Sequence, residues 1–217
     1  AVIGLINGII IAYLNVTPFI TTLGTMIIVY GINSLYYDFV GASPISGFDS
    51  GFSTFTQGFF ALGSFRLSYI TFYALIAVAF VWILWNKTRF GKNIFAIGGN
   101  PEAARLSGIR TTRYKVAAYV IASLLAGLGG ILLASRIGSS QVNAGGGYLM
   151  DAVAAAWIGF SLAGSGKPNA LGTLVGAVIL GVLSNGLVML SVPYYAMDII
   201  KGLVLAVALA ITYIQKR

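Results

Sequence analysis

Long apolar runs alternate with polar joints along the whole chain. Seven apolar segments stand out, at 1–14, 19–36, 69–85, 116–135, 149–163, 171–190 and 196–214. A helix needs about 20 mainly apolar residues to cross the hydrocarbon of a bilayer. The run 19–36 opens on Thr17-Pro18, and proline suits the first turn of a helix. The run 1–14 is short, as a clipped span is, and it starts at Ala1 with no basic stretch before it. That start reads as lying inside or just before a membrane helix rather than as a signal peptide. The run 149–163 is short and rich in alanine, and reads as tilted, re-entrant or buried among other helices. No run alternates with period 2, which disfavours a β-barrel. The predicted fold is all-α: a polytopic transmembrane bundle of about seven apolar segments, a single domain over 1–217.

The joints carry the charge. Lys87, Arg89, Lys92, Arg105, Arg110, Arg113 and Lys115 all lie in the joint 86–115. An excess of Lys and Arg marks cytoplasmic loops, so this joint is assigned to the cytoplasm. Counting spans in both directions then places Lys167, Lys216 and Arg217 inside, Arg66 and Arg136 outside, and Lys201 within the last run. The C-terminus is thereby predicted to be cytoplasmic. Trp82 and Trp85, just before Lys87, fit an interfacial aromatic belt. The outer joint 37–68 is rich in Gly, Ser and Phe and includes Gly41-Ala42-Ser43-Pro44 and Gly47. It either folds onto the membrane surface or a partner, or is a plain surface loop.

Composition narrows the function classes. The chain has 217 residues, 58% hydrophobic and 8% charged; soluble domains carry about 25% charged residues, so a water-soluble enzyme is excluded. The net charge of +8 comes from 13 Lys and Arg against 5 Asp and Glu. It fits loop asymmetry better than nucleic-acid binding. There is no cysteine and no histidine, which removes thiol nucleophiles, disulfides, imidazole bases and the usual soft metal ligands. No carboxylate dyad, catalytic triad or metal cluster is visible. Gly164-Ser165-Gly166-Lys167-Pro168 is superficially similar to a phosphate loop, but lacks the spacer after the first glycine and the Ser/Thr that holds magnesium.

The sharpest local signal is the stretch 100–108. Asn100 suits an N-cap, Pro101 the first helical position, and Glu102 the positive end of the helix dipole. Ala103, Ala104, Arg105 and Leu106 are good helix formers, and Gly108 suits a C-terminal stop. Two turns are too short to be stable alone in water. Such a helix lies on the membrane, packs under its own spans, or docks on another protein; a plain connector is the simpler alternative.

The run from Phe90-Gly91-Lys92-Asn93-Ile94-Phe95 to Ser107-Gly108-Ile109 resembles the cytoplasmic loop of bacterial ABC importer permeases, most closely the ribose/xylose-type sugar permeases. Glu102-Ala103-Ala104 with Gly108 matches the start of their E-A-A-x-x-x-G pattern, without its later Ile-x-Leu-Pro. Pro18-Phe19-Ile20-Thr21-Thr22-Leu23-Gly24, Gly146-Gly147-Tyr148-Leu149-Met150-Asp151-Ala152, Gly172-Thr173-Leu174-Val175-Gly176-Ala177 and Ser184-Asn185-Gly186-Leu187 are similar to further segments of that family. The family's G-G-T-S-L-x-G-G is replaced by the run from Gly159-Phe160-Ser161 to Gly166.

The resemblance implies a permease subunit in the bacterial cytoplasmic membrane, importing a monosaccharide such as ribose or xylose, with further helices before Ala1. It implies as partners two ABC ATPase subunits, a second or sister permease and an extracytoplasmic sugar-binding protein. It implies no cofactor on this chain: ATP with magnesium belongs to the partner ATPase. Asn100, Pro101, Glu102, Ala103, Ala104, Arg105, Leu106 and Gly108 would form the coupling element. Glu102 and Arg105 would be its polar contacts and Ala103, Ala104 and Leu106 its packing face, tied to the spans through Trp82, Trp85 and Lys115. Branched-chain amino acids, nucleosides or signal sugars are alternative substrates of the superfamily. An ion-coupled secondary carrier is the alternative from another class, with Asp151 or Asp198 as its acid.

Polar groups inside spans are site candidates by default. Asp198 and Lys201, three apart, are expected to pair along one helix, and Asp151 to cap the short fifth run. Asn185, Asp151 and Asn33 are candidates for the translocation path, with Asn7, Gln141 and Asn143 as further hydrogen-bonding groups; equally, such side chains bind one another across helices. The small residues Gly172, Gly176, Gly127, Gly129 and Gly130 permit close helix approach, within one bundle or at a subunit interface.

Overall fold

The computed structural model describes residues 1–41, 45–46, 48, 50–62, 65–162 and 168–214. In chain order the elements are α1 (Val2–Tyr13), α2 (Pro18–Val40), β1 (Ile45–Ser46), α3 (Ser50–Gln57), β2 (Phe59–Leu62), β3 (Phe65–Ser68), α4 (Tyr69–Lys87), α5 (Arg89–Gly99), α6 (Pro101–Leu106), α7 (Thr111–Ile137), β4 (Ser139–Ser140), α8 (Gly146–Leu162), α9 (Ala170–Met189) and α10 (Tyr194–Ile214). Ala42, Ser43, Pro44, Gly47, residues 163–167, which include the phosphate-loop-like run up to Lys167, and Lys216 and Arg217 lie outside the described residues.

Four described helices are long and apolar enough to cross a membrane: α2, α4, α7 and α9. The predicted count was about seven. Two of the other segments form helices of 12 residues in α1 and 17 in α8, short of the roughly 20 that a span requires. The third, α10, has 21 residues and carries Asp198 and Lys201 in its first half. The spans show almost no inward face: 0% of the most apolar window of α4 and of α7 is buried, and 11% in α9. A helix apolar all round belongs in hydrocarbon. Large exposed side chains such as Phe19, Ile27, Phe80 and Val182 would be an aggregation hazard in water and are ordinary lipid contacts in a bilayer.

The chain divides into two compact units, one of Ala1–Ala79 with Ile83–Ala144, the other of Phe80–Trp82 with Gly145–Arg217. In the first, α1 and α7 run in opposite directions along each other. A Cβ at Gly4 would sit 2.5 Å from the Tyr119 carbonyl oxygen, and one at Gly8 would sit 2.9 Å from the Val116 Cα. The buried residues of α1 are Gly4, Asn7, Gly8, Ile11 and Ala12, spaced three and four apart as one helical face must be.

The described part of the joint 37–68 is folded against its own chain, with strands that the all-α expectation did not include. Strands β2 and β3 form an antiparallel hairpin pairing Phe59 with Ser68 and Leu62 with Phe65. Strand β1 pairs antiparallel with β4, Ile45 opposite Ser140. Helix α3 is pinned to the end of α7 by buried hydroxyls. Ser135 Oγ donates to the Phe52 carbonyl at 2.5 Å. Its single proton being spent there, Thr56 Oγ1 must donate to Ser135 Oγ, at 2.8 Å. Phe55 stacks on Tyr73 with ring centroids 5.0 Å apart.

In the second unit α8 and α9 pack backbone to backbone. A Cβ at Gly172 would fall 2.5 Å from the Gly159 carbonyl oxygen, and one at Gly176 would collide with that of Ala155. Around this seam Ala154, Ala155, Ile158 and Leu180 form a small core, covered by Leu183 and by Val204 of α10. Gly176→Leu is expected to cost about 1–3 kcal/mol by overpacking and to lower the thermal midpoint of detergent-purified protein. Gly181→Leu, where a side chain meets open space, is expected to leave it unchanged; equal shifts would refute the seam.

Candidate functional site

Helix α6 is closed at both ends by its own residues. The Asn100 side-chain oxygen accepts from the backbone N–H of Glu102 and of Ala103, each at 3.0 Å. Pro101 occupies the first position, where an N–H has no helical partner. At the other end Ile109 N–H donates to the Ala104 carbonyl at 3.1 Å and Gly108 N–H to that of Arg105 at 3.0 Å. This pair of bonds is the Schellman closure. It requires the left-handed backbone that Gly108 adopts, at φ +80°. A six-residue helix, unstable alone, is thereby given a defined start and stop.

The faces of α6 differ from the expectation in one respect. Ala104 is 4% exposed and faces inward, so it belongs to the fold and is not available to a partner. Ala103 is exposed and Leu106 is 84% exposed. Arg105 Nη2 and Glu102 Oε2 are 3.3 Å apart, with side chains 69% and 75% exposed. The outward surface is thus a solvated ion pair beside an uncovered leucine.

Helix α5, which was not predicted, runs into α6 at Asn100, which ends the one and caps the other. Thr88 caps α5, its hydroxyl oxygen accepting from Gly91 N–H at 3.3 Å. Phe90, Ile94 and Ile97 recur along it at helical spacing, and Ile97 is 5% exposed. Trp85 of α4 meets Phe95 edge-on at 6.3 Å. Asn93 Nδ2 donates to the Tyr114 hydroxyl at 2.6 Å, and the Phe90 ring lies 5.6 Å from that of Tyr114. Tyr114, one residue before the expected Lys115, makes the tie to α7. The joint is a folded strap between α4 and α7.

Asp151 and Asn185, both in the second unit, bond to separate partners. Asp151 lies inside α8, five residues past its first residue Gly146, and does not cap it. It pairs with Lys201 of α10, Oδ2 to Nζ 2.9 Å, with side chains 28% and 25% exposed. The expected Asp198–Lys201 pair is therefore replaced by a bond between helices. Both charges sit at low exposure because each supplies the other's partner. Asn185 turns back on its own helix, Nδ2 donating to the Gly181 carbonyl at 3.0 Å. Asn33, Gln141 and Asn143 are exposed. Asn7 is 7% exposed in the α1 face, and its side-chain oxygen is buried without a partner. Among the described residues no group of three or more His, Cys, Asp or Glu could hold a metal.

Comparison with known proteins places this architecture. The family model described as "Branched-chain amino acid transport system / permease component" matches residues 1–209. The galactose/methyl galactoside import permease protein of Escherichia coli K12 is 64% identical over 211 residues, 97% of this chain and 63% of that protein. Its namesake in Haemophilus influenzae is 57% identical, again over 97% of this chain and 63% of the relative. The ribose import permease protein of Bacillus subtilis is 40% identical over 93% of this chain and 61% of the relative. The chain thus spans somewhat under two thirds of the length of these curated relatives. No solved structure matches.

Two predictions follow from the geometry. Asn100→Ala is expected to cost about 1 kcal/mol of local helix stability, read as faster hydrogen exchange at the α6 amides with no change in those of α7. Lys201→Ala, which leaves the Asp151 carboxylate unpaired, is expected to cost about 2 kcal/mol after allowing for its partial exposure. The double change Asp151→Asn with Lys201→Met is expected to recover most of that loss in a double-mutant cycle on the thermal midpoint.

Proposed function

The chain belongs to the branched-chain amino acid transport system/permease component family, and on that premise we propose that it is the membrane-spanning permease part of an ATP-driven importer. Its cargo in this reading is a galactose-type monosaccharide. Identity of 64% to a galactose/methyl galactoside permease, against 40% to a ribose permease, favours a hexose over the pentose expected from sequence motifs.

The observation that carries the reading is α6: a helix capped at both ends, with Leu106 uncovered and a strap behind it. In the proposed arrangement the strap is cytoplasmic and a cleft of an ABC ATPase receives α6. Leu106 and Ala103 supply the apolar contact and Glu102 and Arg105 the polar one, while Ala104 anchors the helix inward. ATP and magnesium are bound and consumed on that ATPase. A push on α6 passes through the Trp85–Phe95 contact into α4 and through Phe90, Asn93 and Tyr114 into α7. A rigid short lever suits this work because a frayed helix would absorb the displacement. A second permease copy or sister subunit and an extracytoplasmic sugar-binding protein complete the proposed assembly. An ion-coupled carrier is less well supported, since Asp151 is already engaged by Lys201.

In the full-length protein assembled with its ATPase, Leu106→Glu is expected to lower ATPase co-purification and sugar-stimulated ATP hydrolysis about tenfold or more, the scale of a buried interface anchor. Folding should be unaffected, because the residue touches little of its own chain. Undiminished association with Leu106→Glu combined with Arg105→Glu would overturn the docking role.

A further inference from the structure

Two hollows share part of their walls at the start of α7. One, of about 510 Å³, is lined by Phe90, Asn93, Ser107, Arg110, Arg113 and Tyr114 among others. The other, of about 610 Å³, runs between α1 and α7 and is lined by Leu5, Ile9, Tyr13, Val116 and Val120. They share Arg113 and Ala117. The first is cationic and rich in hydrogen-bonding groups: two guanidinium groups, an amide and two hydroxyls, with no carboxylate in its wall. Neither arginine belongs to the two ion pairs found among the described residues. The second is apolar but for Arg113 and the Tyr13 hydroxyl.

We propose that the two adjoining hollows hold one anionic phospholipid, its phosphate on Arg110 and Arg113 and one acyl chain along the α1–α7 groove. Three positions apart at the start of α7, the two arginines can address one group together, and the planar guanidinium matches phosphate oxygens two at a time. Basic pockets at the ends of membrane helices select anionic headgroups in this way. A cationic hollow and an apolar one walled by the same Arg113 and Ala117 point to the class of ligand. A free anion leaves the groove unexplained, and an apolar peptide helix leaves the arginines unexplained; an amphiphile with a negative head accounts for both. Ser107 and Ile109 form part of the headgroup wall, so the bound lipid fills the corner where α6 turns into α7. The inference requires only that the chain is embedded in a bilayer and does not depend on the transported solute.

The test is native mass spectrometry of the full-length protein released from detergent after equilibration with equal amounts of phosphatidylglycerol and phosphatidylcholine of the same acyl chains. Phosphatidylglycerol is expected to be retained and phosphatidylcholine not. Arg110→Ala with Arg113→Ala is expected to lower retention about 25-fold, roughly 5-fold per arginine near a membrane surface, whereas the double lysine variant keeps most of it. Ala117→Leu, which narrows the shared neck, is expected to lower retention with both arginines in place, and serves if the alanine variant does not fold. Glycerol phosphate, the headgroup without chains, should fail to displace the lipid. Equal retention of the two lipids, retention of neither, indifference to these substitutions, or displacement by glycerol phosphate would each overturn the proposal.

Discussion

A helix bathed in lipid gains nothing by moving its leucines from one hydrocarbon surface to another, so its partners must be held by close backbone approach and by polar groups with nowhere else to go. Both devices are at work here. The α1–α7 seam depends on Gly4 and Gly8, and the α8–α9 seam on Gly159, Gly172 and Gly176 set against Ala155. At each contact a single Cβ would force the backbones apart. The buried core is accordingly small, mostly alanines with a few larger aliphatic side chains. Among the described residues only Ile11, Ile97, Ile158 and Leu180 of the large apolar side chains are buried, the inverse of a soluble domain and the reason the fold requires a bilayer.

Polar groups do the rest, and each is placed where leaving it unpaired is costly. Thr56 and Ser135 pass one hydrogen bond on to the Phe52 carbonyl in a site with almost no exposure. Lys201 and Asp151 join α10 to α8. Asn93 and Tyr114 join α5 to α7. The first and third of these bonds lie at helix ends and joints, where irregular backbone must be secured, and the second joins two helices within their length. The same economy explains the double closure of α6. A helix too short to persist by propensity alone is made definite by one asparagine, one proline and one glycine in the left-handed region, with Ala104 seated inward to set its rotation.

Legibility followed the range of the forces involved. The ends of α6 were readable because caps are chemistry between residues two to five apart: Asn100, Pro101 and Gly108 announce themselves. The apolar spans were readable because solvation acts on each residue by itself. Helix α5 was missed although Thr88 and the spacing of Phe90, Ile94 and Ile97 were present, since Gly91, Gly98 and Gly99 gave the stretch the look of a loop. The packing face assigned to α6 included Ala104, which the fold turns inward, because sequence spacing does not say which side of a two-turn helix meets the rest of the chain.

What the sequence determined alone was the solvent, the helical class, the family motifs and the closure of α6, all set by local chemistry or by summed composition. What only the tertiary structure decided was pairing at a distance. It gave Lys201 to Asp151, fifty residues away, instead of to Asp198 on its own helix. It gave Asn185 to its own backbone, turned Ala104 inward and Leu106 outward, and set Arg113 in the walls of both a cationic hollow and an apolar one. A charge in low dielectric takes whichever partner the packed backbones bring within hydrogen-bond reach, and that geometry is a property of the fold, not of the spacing along the chain.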